Sequence, residues 1–390
     1  DEWTRDAKEL EAKFTDDGYA PVIMYAQDDA DEQASQVSDM TEEGVSAMVI
    51  APVDPYGLSE ELKAAKEAEI PVIAYDDLIM NTDGVKYYVT FGGRQIGQLI
   101  GQEIIDKEEL DKLQEEKGSK TIEFLMGSLD DTQALFFYNG LMEKLQPYLD
   151  DGTLVCKSGQ ITFEETGILR WSMDEAQSRA EDILEEAYQD GEAPDIICTG
   201  FDGAAEGAVN ALQNNGLTLG ENWPMITGVG CDEDAVRDIA ESEIACSVFM
   251  DRRVLADQAE DMVNVYLHGE DDPEVNDYEQ YDNGTKIIAS YLCEPQLINI
   301  DNYEILIDNG YYTEDEVKPE TTPTPEPTVT PEITEEPDVT ATPEVTESPE
   351  ATITPEVTEE SEETATPTPT EKVTPTPKER VTLKRSTKNK

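Results

Sequence analysis

At 390 residues the chain is long enough for two domains and an appendage, and its 38% apolar content can supply real cores. With 89 acidic residues against 27 basic ones, the formal charge is −62, which argues against nucleic acid or an anionic membrane as a partner, since either would repel this surface. A solvated, secreted or salt-tolerant protein fits this charge. No run of about 18 apolar residues is present, so no segment is expected to span a bilayer. The five cysteines, Cys156, Cys198, Cys231, Cys246 and Cys293, lack C-x-x-C spacing and sit in apolar, strand-like contexts, which predicts buried free thiols rather than metal or redox work. The chain opens at Asp1 with neither an initiator methionine nor a signal h-region, which reads as a processed or trimmed form.

Residues 1–17 read as a helix, with Trp3, Ala7, Leu10 and Phe14 on one face. That is an unusual opening for a parallel α/β domain, and it predicts an earlier strand. PVIMYA (21–26) is expected as a strand, 31–43 as a helix with Ala34, Val37 and Met40 buried, SAMVIAPV (46–53) as a strand and 57–68 as a helix. The apolar run Pro71–Tyr75 then ends in Asp76 and Asp77, so both acids stand at the C-terminal tip of a buried parallel strand. Ligands of open α/β sheets bind outside such tips. A further strand, 87–91, leads into a helix in which Gly93, Gly97 and Gly101 recur every fourth residue, a spacing expected to bring the helix backbone close to the sheet. No Lys-Ser/Thr pair follows, so these glycines do not form a phosphate loop.

The charged, glycine-containing stretch 106–120 is expected to be a domain crossing. Beyond it, strands at 121–128, 195–200, 224–230 and 245–250 alternate with helices at about 131–149, 172–188, 203–214 and 233–240. A helix at 251–269 and strands near 285–295 close the fold. Alternation of this kind specifies right-handed parallel βαβ units, here in two similar lobes. The predicted division places 1–115 and 251–284 in an N-terminal lobe, 116–250 and 285–317 in a C-terminal lobe, and 318–390 in a tail. The tail has no aromatic residue and no glycine, and proline recurs among Thr and Glu, so it is expected to stay disordered and extended as a stalk or spacer. Its last residues, 378–390, reverse to basic.

Several of these stretches carry a resemblance: AYDDLI and YYVTF, GSLDDTQALFFYNGLMEKLQPYLDDGTLVCKSGQ, GILRWSMDEAQ, and NGTKIIASYLCEPQLINIDNYEILIDNGYYTEDEV. Over about residues 1–317 the chain resembles the type I periplasmic sugar-binding proteins of ABC transporters, nearest to the multiple-sugar (galactose, arabinose, glucose) and xylose receptors. The resemblance implies two Rossmann-like lobes joined by three crossovers, closing on a monosaccharide, and a first strand ahead of Asp1. It also implies sugar contacts at Trp3, Asp76, Asp131, Gln133, Arg170, Trp171 and Asp202. Several matched positions are altered. Glu2 and Asp77 stand where the family carries arginines, and Met250 where it carries lysine. Asp131-Thr132-Gln133 replaces an Asp-Asn-Asn turn, and Phe201 replaces Asn or Tyr. Gly228-Val229-Gly230 replaces Gly-Gln-Asp, leaving Asp232 as a shifted carboxylate.

Sugar pockets pair aromatic faces with ring C–H groups and charged planar groups with paired hydroxyls. Losing cations and gaining acids predicts a more negative cleft, which favours an amino sugar, a cationic solute or a metal-assisted ligand relative to the family. Asp202 has a second expected use, capping the helix after it. Asp76 and Asp77 do not suit a glycosidase pair, because adjacent strand residues point to opposite faces. His268, at a helix end, is expected to complement the helix dipole. One histidine and no G-x-S-x-G, H-E-x-x-H or Cys-His set predict no enzyme, and no cofactor or metal is called for.

The sequence therefore points to a monomeric extracytoplasmic binding protein, lipid-anchored in its full precursor, that hands a monosaccharide to an ABC permease. The other class it allows is a sensing module for a membrane receptor or kinase. A DNA-binding repressor of the same fold is disfavoured by the acidic charge and the lack of a helix-turn-helix.

Overall fold

The computed structural model describes residues 2–188, 191–220, 222–269 and 272–318; the expected tail, beyond Lys318, lies outside the described residues. Helices α1 (Glu2–Asp16) and α2 (Ala30–Glu43) precede strand β1 (Met48–Ile50), and α3 (Ser59–Glu67) leads to β2 (Val72–Tyr75) and β3 (Val85–Phe91). Then come α4 (Gly93–Lys107), α5 (Leu110–Glu116), β4 (Lys120–Leu125), α6 (Thr132–Asp151) and β5 (Leu154–Val155). A short α7 (Phe163–Thr166) and a 3-10 turn at Leu169–Trp171 precede α8 (Met173–Ala187), β6 (Ile196–Thr199), α9 (Asp202–Asn214), β7 (Met225–Ile226), α10 (Glu233–Glu241) and β8 (Cys246–Phe249). The described chain ends through α11 (Arg252–His268), β9 (Ser290–Cys293), β10 (Gln296–Asn299) and α12 (Ile305–Asp308).

Two parallel sheets result. The first has the order β1-β2-β3-β9 and the second β5-β4-β6-β7. Strand β8 continues the second through bridges at Thr227–Cys246 and Gly230–Phe249, and β10 pairs antiparallel with β8. Every residue of β2, β6 and β8 is buried, as expected of strands covered on both faces. This is the α/β architecture of a type I periplasmic binding protein.

The chain passes between the sheets after Phe91, after Phe249 and after Cys293, and two of these crossings differ from the sequence expectation. The first lies at Gly92-Gly93, not within 106–120. Helix α4 packs along α6 of the second lobe, so closely that a Cβ at Gly97 would lie 2.0 Å from the Phe137 carbonyl oxygen and one at Gly140 2.0 Å from that of Arg94. The four-residue glycine spacing thus serves a helix–helix contact rather than a helix–sheet contact; sequence periodicity marks a close approach but not its partner. The 106–120 stretch holds α5, anchored by fully buried Leu110, and is not a linker. The third crossing lies at Glu294-Pro295, because β9 pairs in parallel with β3 while β10 pairs with β8; residues 285–293 therefore belong with the first sheet, not the second.

A third difference concerns PVIMYA (21–26), which forms no strand. Between Tyr19–Ile23 and β1 lies a gap of about 290 Å³, lined also by Leu10, Phe14, Asp17, Val263 and His268. An extended segment needs an adjacent strand to satisfy its backbone, and this one faces a gap.

Candidate functional site

The tip of β2 is built around Asp76, whose backbone is left-handed (φ 65°). Its N–H donates to the Val89 carbonyl at 2.9 Å, and its own carbonyl accepts from Tyr88 Oη at 2.5 Å and Thr90 Oγ1 at 2.8 Å. Non-glycine residues hold this conformation only where the surroundings over-determine it, and such residues cluster at ligand sites. Arg170 (φ 56°), Trp171 (φ 54°) and Cys231 (φ 55°) share it at the tips of the second lobe.

In the first lobe, Asp76 Oδ2 accepts from Arg252 Nη1 at 2.9 Å, and Arg252 Nε and Nη2 donate to Asp6 Oδ2 at 2.9 and 2.6 Å. Tyr75 Oη donates to the same Asp6 oxygen at 3.0 Å. Burial, against the pull of Arg252 and Tyr75, holds the Asp6 carboxyl above its ordinary range. Trp3 keeps 39% of its surface exposed, with the Arg252 guanidinium 5.2 Å from its ring centroid. Asp77 is half-buried beside Asp76, its N–H donating to the Tyr75 carbonyl at 2.8 Å.

In the second lobe, Trp171 lies so close to Gly127 that a Cβ there would sit 2.4 Å from its ring. Its ring meets Phe201 edge-on at 5.4 Å, and 39% of its surface stays exposed. Arg170 is exposed, its N–H donating to Ser128 Oγ at 2.8 Å, and it makes no salt bridge among the described residues. Asp131 caps α6 by accepting from the Gln133 N–H at 2.7 Å; burial raises its carboxyl, and the Asp76 charge adds to the effect.

Gln133 joins the lobes: its Nε2 donates to Tyr88 Oη at 2.8 Å and to Thr90 Oγ1 at 2.9 Å, the two side chains that hold the Asp76 carbonyl. Its Oε1 is buried with no hydrogen-bond partner among the described residues. Trp3, Asp76 and Asp77 thus gather on one wall, and Asp131, Arg170, Trp171 and Phe201 on the other, with Gln133 between them.

Asp202 stands apart. Only 1% exposed, it accepts from Ser247 Oγ at 2.7 Å and from the Asp232 N–H at 2.8 Å. It does not cap α9, which begins at Asp202 itself with Phe201 as the cap residue. Burial pushes its carboxyl up to about 7, with the Asp232 charge adding to the effect. Gly228 and Gly230 pack against its oxygens, so it pins the loop that carries Asp232. The Asp232 carboxyl is itself raised by burial and drawn back by Arg5 of α1.

Two arginines in these walls were not singled out from sequence, Arg5 and Arg252. Arg252 and Arg253 both fall in the first turn of α11, where the helix dipole opposes cations. Two arginines at such a position are a readable sign that carboxylates wait nearby.

A model of the periplasmic binding protein domain matches residues 1–271. The chain belongs to that family. It is 38% identical over 318 residues to the multiple sugar-binding periplasmic receptor ChvE of Rhizobium radiobacter, covering 81% of this chain and 88% of that protein. It is 27% identical over 318 residues to the D-xylose-binding periplasmic protein of Escherichia coli, again covering 81% and 88%. Among solved structures it resembles an ABC transporter solute-binding protein from Clostridium phytofermentans with bound β-D-glucose, at TM-score 0.74 and 39% identity, over 81% of this chain and 96% of that one. As a periplasmic binding protein, it belongs among receptors rather than enzymes.

Proposed function

We propose that this chain captures a monosaccharide, an aldose or a related sugar, between its two lobes and presents it as a monomer to an ABC permease outside the cytoplasm, held to the cell by a lipid anchor. One observation carries the reading. Two half-open tryptophans, Trp3 and Trp171, stand on different lobes beside strand tips with left-handed backbones at Asp76 and Arg170, and the two tips meet where Gln133 reaches Tyr88 and Thr90 and the Asp76 charge acts on Asp131. Aromatic faces suit the C–H side of a sugar ring, and charged planar groups suit its hydroxyls. The multiple-sugar, xylose and glucose ligands in the names of the similar proteins support the same class. Trp3, Asp76, Asp77, Asp131, Gln133, Arg170, Trp171, Phe201 and Asp232 form the proposed contact set. Asp202 serves it from behind by holding the Asp232 loop. Binding energy shared by the two walls would favour the closed arrangement.

Isothermal titration of the full chain against a panel of aldoses tests this. At least one aldose should bind, and Trp171→Ala should weaken it about 10- to 100-fold, as expected for loss of a stacking aromatic. Absence of heat with every aldose would overturn the reading.

A further inference from the structure

Arg252 is buried to 8% side-chain exposure at the N-terminal turn of a helix, a place that favours anions. A guanidinium persists there only when carboxylates compensate it, and its partners include Asp6 and Asp76. The Asp76 main chain is held separately, by Val89, Tyr88 and Thr90. Backbone contacts therefore place Asp76, while Arg252 decides which way its carboxylate turns. With Oδ2 taken by Arg252, Asp76 Oδ1 has no hydrogen-bond partner among the described residues, and the side chain is partly exposed. The sequence carries Glu2, Asp77 and Met250 where the resemblance implies cations, which predicts a wall inviting positive ligands. Arg252 returns a fixed positive charge to that wall from a position two residues beyond Met250.

Resting on the monosaccharide reading above, we propose that Arg252 is the positioning residue that sets ligand charge class. It turns Asp76 Oδ1 toward a sugar hydroxyl and offsets the paired acids, so the cleft selects a neutral hydroxylated ring over its protonated amino counterpart. Removing it would leave Asp6 and Asp76 as adjacent uncompensated carboxylates, a pair that attracts cations.

The test is titration of the full chain with D-glucose and with D-glucosamine at about pH 6, where an amine of this class is charged. The wild type should bind glucose at least about 10-fold more tightly, and Arg252→Lys should keep that order. In Arg252→Gln, glucose affinity should fall about 10- to 100-fold, the ordinary contribution of a charge-assisted hydrogen bond, while glucosamine loses less, so the ratio narrows or inverts. Asp76→Asn, which keeps Arg252 on Asp6, should widen the ratio instead, and it serves if Arg252→Gln does not fold. Equal or tighter glucosamine binding by the wild type overturns the inference, as does an unchanged ratio in both Arg252→Gln and Asp76→Asn. Glucose binding with either of those results leaves the sugar-capture reading standing; failure of every aldose to bind the wild type overturns both.

Discussion

Asp202 shows what a side chain's neighbours do to its role. By sequence it is equally a ligand contact and a helix cap, because both need only an aspartate at the start of a helix. The structure gives it neither position: it lies beneath the Asp232 loop with both oxygens engaged. Burial pushes its carboxyl up to about 7, and it does the same to Glu206 and Asp238. A carboxylate whose folded value is raised holds its proton more tightly when folded, so the contribution of these three groups to stability is greatest in acid and falls as pH rises from about 4 toward 7. Chemical denaturation across that range should show this decline, and Asp202→Asn should remove part of it, on the order of a few kcal/mol. A wild-type midpoint that rises from pH 4 to 7 with the same slope in the variant would contradict the assignment. His268 illustrates the easier case: its Nδ1 lies 2.7 Å from the Asn264 carbonyl in the last turn of α11, the helix-end position that its sequence context predicted.

At the scale of elements, the glycines of α4 were legible as a close approach, and only the packing showed against what. In an exposed helix, Gly→Ala stabilises by about 1 kcal/mol. Gly97→Ala should instead destabilise by about 2–3 kcal/mol, since its Cβ would enter the Phe137 carbonyl, and urea midpoints measure the sign directly. The segment 21–26 gives the converse lesson. Its continuous apolar run is strand-like, yet strand formation depends on a neighbour, and local sequence carries no information about that neighbour.

For the whole molecule, the three crossings are what let two sheets act on one ligand. The stretch after the third crossing also ties back to the first lobe: the Tyr311 ring lies 4.8 Å from the Arg5 guanidinium and 5.1 Å from that of Arg253, while Leu306 and Tyr312 pack into the second lobe's core. A sugar bound by both walls at about 100 times its dissociation constant should stabilise the folded chain by about 2.7 kcal/mol. A thermal shift of about 5 °C, with a smaller radius of gyration by solution scattering, is the expected result. A shift without contraction would place the sugar on one lobe alone.

The order of most strands and helices, the α/β class and the family follow from the sequence, because each rests on local periodicity or on motifs that the chain carries in one piece. Which lobe α4 and β9 join, whether 21–26 pairs, and that Arg252 bonds both Asp6 and Asp76 were decided only in three dimensions. The reason is the same in each case: helix docking, strand pairing and the Asp6–Arg252–Asp76 bond set are contacts between residues far apart in the chain, and no window of neighbouring residues encodes them.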